Sequence, residues 1–416
     1  MFDDFNVIAG LEVGTSKICV VIGKLGADGE LKIIGVGQAL SQGVRKGEVI
    51  NPDQVAEDLR TAIFEAEQMA DVEIRSVVLG VTGGHIRGFN SRGLHPVISA
   101  DREISPEDVE DAIKNAKAIS LPPENAVLHT VHQLFHVDGQ TGVANPVGMI
   151  GARLAVDVHV IHGNAYRLQN LGRLVRGMAL KVDDVVFNGI ASALALLTGE
   201  QKELGALVID IGGGTTEYVV YLDGVIRHSG VLAVGGDHVS NDLAFGLKIP
   251  LRRAEKLKIA HGCAVVTEAA KGQTVSLINE FGHELKRIKI EHIQIIMTER
   301  LGELFKLIAQ DLDRVGLTRY LRAGVFICGG GSRVPGLVTL AERIFHMKVT
   351  IGQNVAISGL VDTLNQPEFS TALGLVKLGA SLRQTQRITG SLREQIRAIL
   401  GKIAAILKAS LARLRD

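Results

Sequence analysis

The stretch "VIDIGGGTTEYVVYLDG", residues 208 to 224, runs from apolar residues into an acid, through three glycines and two threonines, and back into apolar residues. β-Branched residues on both sides of a glycine turn read as a β-hairpin. Three consecutive glycines strip the tip of side chains, so successive N–H groups are free to aim at one point and form an anion-binding concavity without a cation. Phosphate fits that need. The hydroxyls of Thr215 and Thr216 add donors, whereas Asp210 would repel phosphate unless a divalent cation lies between, held by carboxylates and water as magnesium is.

The plan recurs upstream. "AGLEVGTSKICVVIG", residues 9 to 23, again places an acid, a glycine and hydroxyl residues between two apolar runs. Aligning Glu12 with Asp210 pairs Val13-Gly14-Thr15-Ser16 with Ile211-Gly212-Gly213-Gly214, which predicts two halves built alike. One such hairpin is most simply a tight turn; two, each with an acid before the turn, point to phosphate. A third cluster, "GVFICGGGSRVPGL" at 324 to 337, reads as a strand, a triple glycine, and a helix starting near Gly336. Bare backbone at a strand's carboxyl end lets a flat base or ribose pass. It is not a Walker loop, since no Gly-Lys-Thr or Gly-Lys-Ser follows.

The whole chain bounds these readings. Its 416 residues, 46% of them hydrophobic, suffice for two or more packed domains. Forty-five basic residues balance forty-five acidic ones, so no global field argues for nucleic acid. Cys19, Cys263 and Cys328 are far apart and lack metal spacing, which predicts a reducing cytoplasm. The N-terminus "MFDDFNVIAG" is acidic and unlike a signal peptide, and no run of about 18 apolar residues is present to span a bilayer. The expectation is a protein neither secreted nor integral to a membrane.

Taken together, the three glycine motifs resemble the actin, hexokinase and heat-shock chaperone ATPase superfamily, in which two similar lobes clamp Mg-ATP. Within it the chain resembles the FtsA family of actin-like bacterial cell-division proteins. That likeness rests on "GLEVGTSK" at 10 to 17, "IIGVG" at 33 to 37, "ANPVGMIGARL" at 144 to 154, and "VIDIGGGTTE" at 208 to 217. It extends through "AEKLKIAHGCA" at 254 to 264, "STALGLVKLG" at 370 to 379 and the C-terminal helix. The resemblance implies an α/β, actin-like, ribonuclease H-like two-lobed fold with a relocated small α+β subdomain. It divides the chain into first-lobe core at 1–83 and 164–205, an inserted interaction subdomain at 84–163, and second-lobe core at 206–255 and 313–380. A mostly helical outer subdomain is expected at 256–312, a linker at 381–390 and a membrane-targeting helix at 391–416.

Residue by residue, the likeness implies that Gly14, Thr15, Ser16 and Lys17 form the first phosphate hairpin. Gly212, Gly213, Gly214 and Thr215 form the second. Glu12 and Asp210 then stand near Mg2+ or its waters, and Gly330, Gly331 and Ser332 complete the adenosine pocket. Glu255 and Lys258 lie three apart on a predicted helix, and therefore on one face. They match residues that reach ribose and adenine in the superfamily, although an ordinary surface ion pair explains the same spacing. In stronger ATPases of this group an acid before the helix matching "IASALALL" places the attacking water; here the stretch is "VFNGIASALALL", with Asn188 and Gly189. Without that group, hydrolysis is expected to be weak and ATP to serve structure and polymerisation.

The remaining segments are read in the same way. "ISPEDVEDAIKNAKAIS" has Ser105 as N-cap, Pro106 at the first helical position and acids in the first turn. His129, His132 and His136 are expected to be packed or solvated, because alternate strand positions face opposite sides and no acid or cysteine completes a metal set. In "EHIQIIMTERLGELFKLIAQDL", Ile295, Glu299, Leu301, Leu304, Phe305 and Ile308 fall near a helical period. The resemblance implies that this subdomain receives the C-terminal peptide of the tubulin-like FtsZ and that Arg300 is a basic contact, where a surface arginine on a packed helix is the plainer account.

Residues 391 to 416 begin with Ser391 and Glu394 at capping-box spacing. Leu392, Ile396, Ile399, Leu400, Ile403, Ile406, Leu407, Leu411 and Leu414 make one apolar stripe; Arg393, Arg397, Lys402, Lys408, Arg413 and Arg415 make the other face basic. That is the pattern of a helix lying in an anionic membrane interface, where a coiled-coil flank more often mixes acids with bases. The implied protein is peripheral, on the cytoplasmic face of the inner membrane at the division septum, self-assembling into filaments and recruiting other division proteins. The rivals are a pilus-assembly actin-like protein of the PilM type and a small-molecule kinase of the same superfamily.

Overall fold

The structure, a computed structural model, describes residues 6–26, 28–278, 283–355, 358–359 and 364–384. The predicted membrane helix at 391–416 lies outside the described residues.

Two sheets share one plan. In the first lobe the strand order is Lys181–Phe187, Ser76–Val81, Val7–Val13, Lys17–Leu25, Leu31–Leu40, with the short Ser358–Gly359 at the edge. In the second it is Val349–Ile351, Gly324–Cys328, Ala206–Ile211, Thr216–Leu222, Val225–Leu232. Each begins with three sequential antiparallel strands and continues from the first of them through two parallel ones. The strands paired on both sides are nearly all apolar and buried, as central strands of a covered sheet must be. The repeat read from Glu12 and Asp210 is therefore a repeat of whole lobes.

Between 83 and 164 the chain leaves the first lobe. Strands Arg87–Pro96, Arg153–Asn164, Asn125–Val137 and Gln140–Val143 form an antiparallel sheet in that order, covered by helix Pro106–Lys117. The helix starts as expected: Ser105 accepts from the Asp108 N–H, the Asp108 carboxylate accepts from the Ser105 N–H, and Pro106 needs no partner. His129 and His136 are packed and His132 is exposed. His129 Nε2 accepts the Phe187 N–H at 2.9 Å, and His136 lies 2.9 Å from the Asp157 carboxylate.

Three expectations change. The segment before the long helix is not helical: Thr274–Ile278 and Glu284–Lys289 pair as an antiparallel hairpin, and only the first strand alternates exposed and half-buried positions with a period of two. Within helix Ile290–Arg314, Ile293 and Met297 are buried and Ile295 is 43% exposed, so the apolar face starts two residues earlier than expected. The tether expected from Ser381 is helical through 384, where Gln384 donates to the Gly29 carbonyl at 3.1 Å.

Candidate functional site

The two glycine hairpins close with the same hydrogen bond, Gly14 N–H to the Lys17 carbonyl and Gly212 N–H to the Thr215 carbonyl, each 2.9 Å. Their tips meet face to face. A Cβ on Gly213 would stand 2.0 Å from Ser16 Oγ, and one on Gly214 would stand 2.5 Å from Thr15 Oγ1 and 2.8 Å from the Lys46 backbone. Absence of side chains is thus what allows the lobes to approach.

Beneath the tips lies a cavity of about 530 Å³, inside the roughly 300–1,000 Å³ typical of small-molecule sites. Of the residues singled out from sequence, Glu12, Gly14, Thr15, Ser16, Lys17, Asp210, Gly212, Gly213, Thr215, Glu255, Lys258, Gly330 and Gly331 line it. Gly214 does not; it carries the contact with Lys46. Ser332 is buried and donates to the Gly329 carbonyl at 2.7 Å, so it shapes the glycine turn from behind. Thr216 also turns away, donating to the Val234 carbonyl at 2.8 Å.

Carboxylates converge on the floor. Asp210 accepts from Ser192 Oγ at 2.5 Å and Thr371 Oγ1 at 2.8 Å, donors from two helices that cross below the sheets. Glu12 lies mostly buried 4.0 Å from the Lys17 ammonium, and its buried Oε2 has no hydrogen-bond partner among the described residues. Burial pushes its carboxyl from 4.5 up to about 7, against the pull of Lys17 and with the help of Asp210. Glu217 is the third acid, raised chiefly by burial and then by Asp210, with Thr82 donating to it. Sequence reading passed over Glu217, although hairpin pairing places it directly across from Asp210. It also brings a carboxylate into the cavity that holds Asn188, whose Oδ1 is buried without a partner among the described residues. An orphaned buried oxygen and two carboxyls whose ionisation burial disfavours fit a divalent cation, which would supply the missing positive charge.

The other end of the cavity is built on the second lobe. Lys258 Nζ lies 2.7 Å from Glu255 and donates to the Gly236 carbonyl at 3.1 Å. The pair predicted on one helix face does form, and it faces the cavity. Gly329, at φ 79°, turns the chain after strand Gly324–Cys328 so that Gly330 and Gly331 present bare backbone. Arg333, held by Glu368, lines the same end and was not foreseen. Lys17 donates to the Glu368 carbonyl and lies 4.5 Å from the Phe369 ring centroid. Arg300 lies apart, its guanidinium forked onto Asp242 and touching Glu303.

A cell division protein FtsA from Pseudomonas aeruginosa is 39% identical over 374 residues, covering 90% of this chain and 89% of its own. The chain belongs to the FtsA family. The FtsA of Escherichia coli K12 is 36% identical over 383 residues, covering 90% of this chain and 91% of its own. Residues 207–374 match the family described as cell division protein FtsA, and residues 83–162 match the SHS2 domain inserted in FtsA. The FtsA fold is actin-like. The PilM-PilN type IV pilus biogenesis complex matches with a TM-score of 0.64 at 18% identity, covering 90% of this chain and 98% of that one. MreB5 of Spiroplasma citri bound to ADP matches at 0.56 and 12% identity, covering 92% and 99%. No helix among the described residues is long and apolar enough to cross a membrane.

Proposed function

We propose that this FtsA-family protein binds ATP with Mg2+ in the interlobe cavity and, in that state, polymerises on the cytoplasmic face of the cell membrane at the division site. The observation that carries the reading is the meeting of two bare-backbone hairpins above three converging carboxylates in one cavity. Gly14, Thr15, Ser16, Gly212, Gly213 and Thr215 cradle the phosphates by main-chain and hydroxyl donors. Glu12 and Asp210 hold Mg2+ directly or through water, and the ion supplies the charge that lets phosphate sit beside them. Glu255, Lys258, Gly330 and Gly331 bound the adenosine. Asn188 replaces the acid of stronger ATPases, so turnover is slow and nucleotide acts mainly as a closing ligand.

The basic amphipathic segment 391–416 carries the membrane attachment. One tail binds reversibly, and a filament presenting many tails holds by avidity. Helix Ile290–Arg314 and its hairpin form the surface for the FtsZ C-terminal peptide, with Arg300 exchanging its internal acids for those of the peptide. The inserted subdomain serves filament contacts and other division proteins.

Titration with a fluorescent ATP analogue, with and without Mg2+, tests the core of this reading. Saturable binding that needs Mg2+ and is lost in Asp210→Asn supports it; equal signal in that variant refutes it.

A further inference from the structure

The inserted subdomain is joined by chain to the first lobe, between strand Ser76–Val81 and helix Ala165–Gly177, and its Ile86 and Ile161 enter a core that residues of both lobes build. Its sheet, however, lies against Val225–Leu232, the edge strand of the second lobe. One polar residue from each of its three long strands meets that edge. Asn90 donates its side-chain amide to the Arg227 carbonyl at 3.1 Å, and Gln133 donates to the Ile226 carbonyl at 2.7 Å. His159 lies 2.6 Å from Asn90 Oδ1 through Nδ1 and 2.8 Å from Ser229 Oγ through Nε2. Asn90, oriented by Arg227, offers only its acceptor, so His159 Nδ1 carries the proton and Nε2 accepts from Ser229.

Gln133, His159 and Ser229 are all buried. Gly88 sits at the closest approach, where a Cβ would stand 2.5 Å from Ser229 Oγ. On the other side of the same strand, His228 Nε2 lies 2.5 Å from Asp311 of helix Ile290–Arg314, and Tyr218 donates to that carboxylate at 2.6 Å. A single edge strand therefore holds the inserted subdomain on one face and the long outer helix on the other.

We propose that the inserted subdomain is an interlobe latch: rooted in the first lobe, it grips the second through the Asn90, Gln133, His159 and Ser229 seam, holding the cleft closed and tying its own orientation to cleft opening. Parting the lobes must either break this seam, leaving buried donors and acceptors without partners, or pull the subdomain away from the first lobe into which it is inserted. That nucleotide drives the latch rests on the cleft ligand proposed above; the latch itself does not.

The test uses the full chain without nucleotide, spin-labelled at Arg60→Cys and Lys306→Cys, exposed positions in the first and second lobes. The native cysteines Cys19, Cys263 and Cys328 are buried. One narrow interlobe distance is expected with the seam intact. Ser229→Ala combined with Gln133→Met removes three hydrogen bonds of the seam, those of Gln133 to Ile226 and Asn90 and that of Ser229 to His159, and raises the population of longer distances about tenfold. An unchanged distribution in a folded double variant overturns the proposal. Should the double variant fail to fold, Ser229→Ala alone, which deletes one oxygen, must still shift the distribution in the same direction, and no shift overturns the latch. A second readout is release of a bound fluorescent nucleotide, expected to quicken by a similar factor. Absence of nucleotide binding would sink the cleft assignment while the distance result still decides the latch.

Discussion

Gly213 and Gly214 are neighbours with different jobs. Gly213 lines the cavity and faces Ser16, whereas Gly214 lets the Lys46 backbone close over the hairpins. Gly213→Ala forces a methyl group to within 2.0 Å of Ser16 Oγ. It is expected to weaken ATP-analogue binding by at least about tenfold, measured by titration, and to shift nucleotide-free stability by less than about 1 kcal/mol, since the clash falls on the Ser16 hydroxyl, a side-chain tip that can rotate, rather than on backbone in a core. Glu12 yields a pH prediction. Its carboxyl ionises near 4.5 when unfolded and at about 7 when folded, so the folded state holds its proton longer. Stability from this source is full below about pH 4.5 and is lost as pH rises to about 7. Glu217 acts in the same direction. Thermal melts of nucleotide-free protein should show this downward slope, and Glu12→Gln should flatten it. The sequence made Glu12, Asp210 and the glycines legible because an acid before a bare turn is a local pattern. It hid Thr82, which enters the cavity from a strand end far from the motifs, and Arg333, which stands within the third glycine cluster but is held by Glu368 only in the fold.

At the scale of elements, the cavity floor depends on a helix crossing. Asn188–Leu196 carries Ser192, and the helix over 370–384 carries Thr371; both hydroxyls donate to Asp210. The crossing is possible because Gly374 has no side chain, a Cβ there standing 1.8 Å from the Ala191 carbonyl. Gly374→Val is expected to cost about 3 kcal/mol or more, at the upper end of overpacking, and to weaken nucleotide binding through Asp210. Chemical denaturation and titration read the two effects. Helix starts such as Ser105-Pro106 were readable because caps are local chemistry. The hairpin Thr274–Ile278 with Glu284–Lys289 was not, because short polar strands carry weak periodicity and charged residues suit helices and exposed strands alike.

The whole molecule joins a paired-lobe clamp, an inserted subdomain gripping both lobes and a basic amphipathic C-terminal segment. Removal of 391–416 is expected to abolish co-sedimentation with anionic vesicles while leaving nucleotide binding within about twofold, because every residue that lines the cavity lies at or before Thr371, outside the deleted segment. Retained sedimentation would place the membrane contact on the body of the protein.

From the sequence alone came the duplicated lobes, the hairpin tips, the paired acids and the amphipathic segment. Each is written in residues close along the chain, where turn chemistry and periodicity act. Only the tertiary structure decided that Glu217 joins those acids, that Gly214 and Ser332 support the cavity from outside it, and that the inserted subdomain grips the lobe it is not inserted in. Those contacts join residues distant in sequence, and packing of whole sheets and helices selects them.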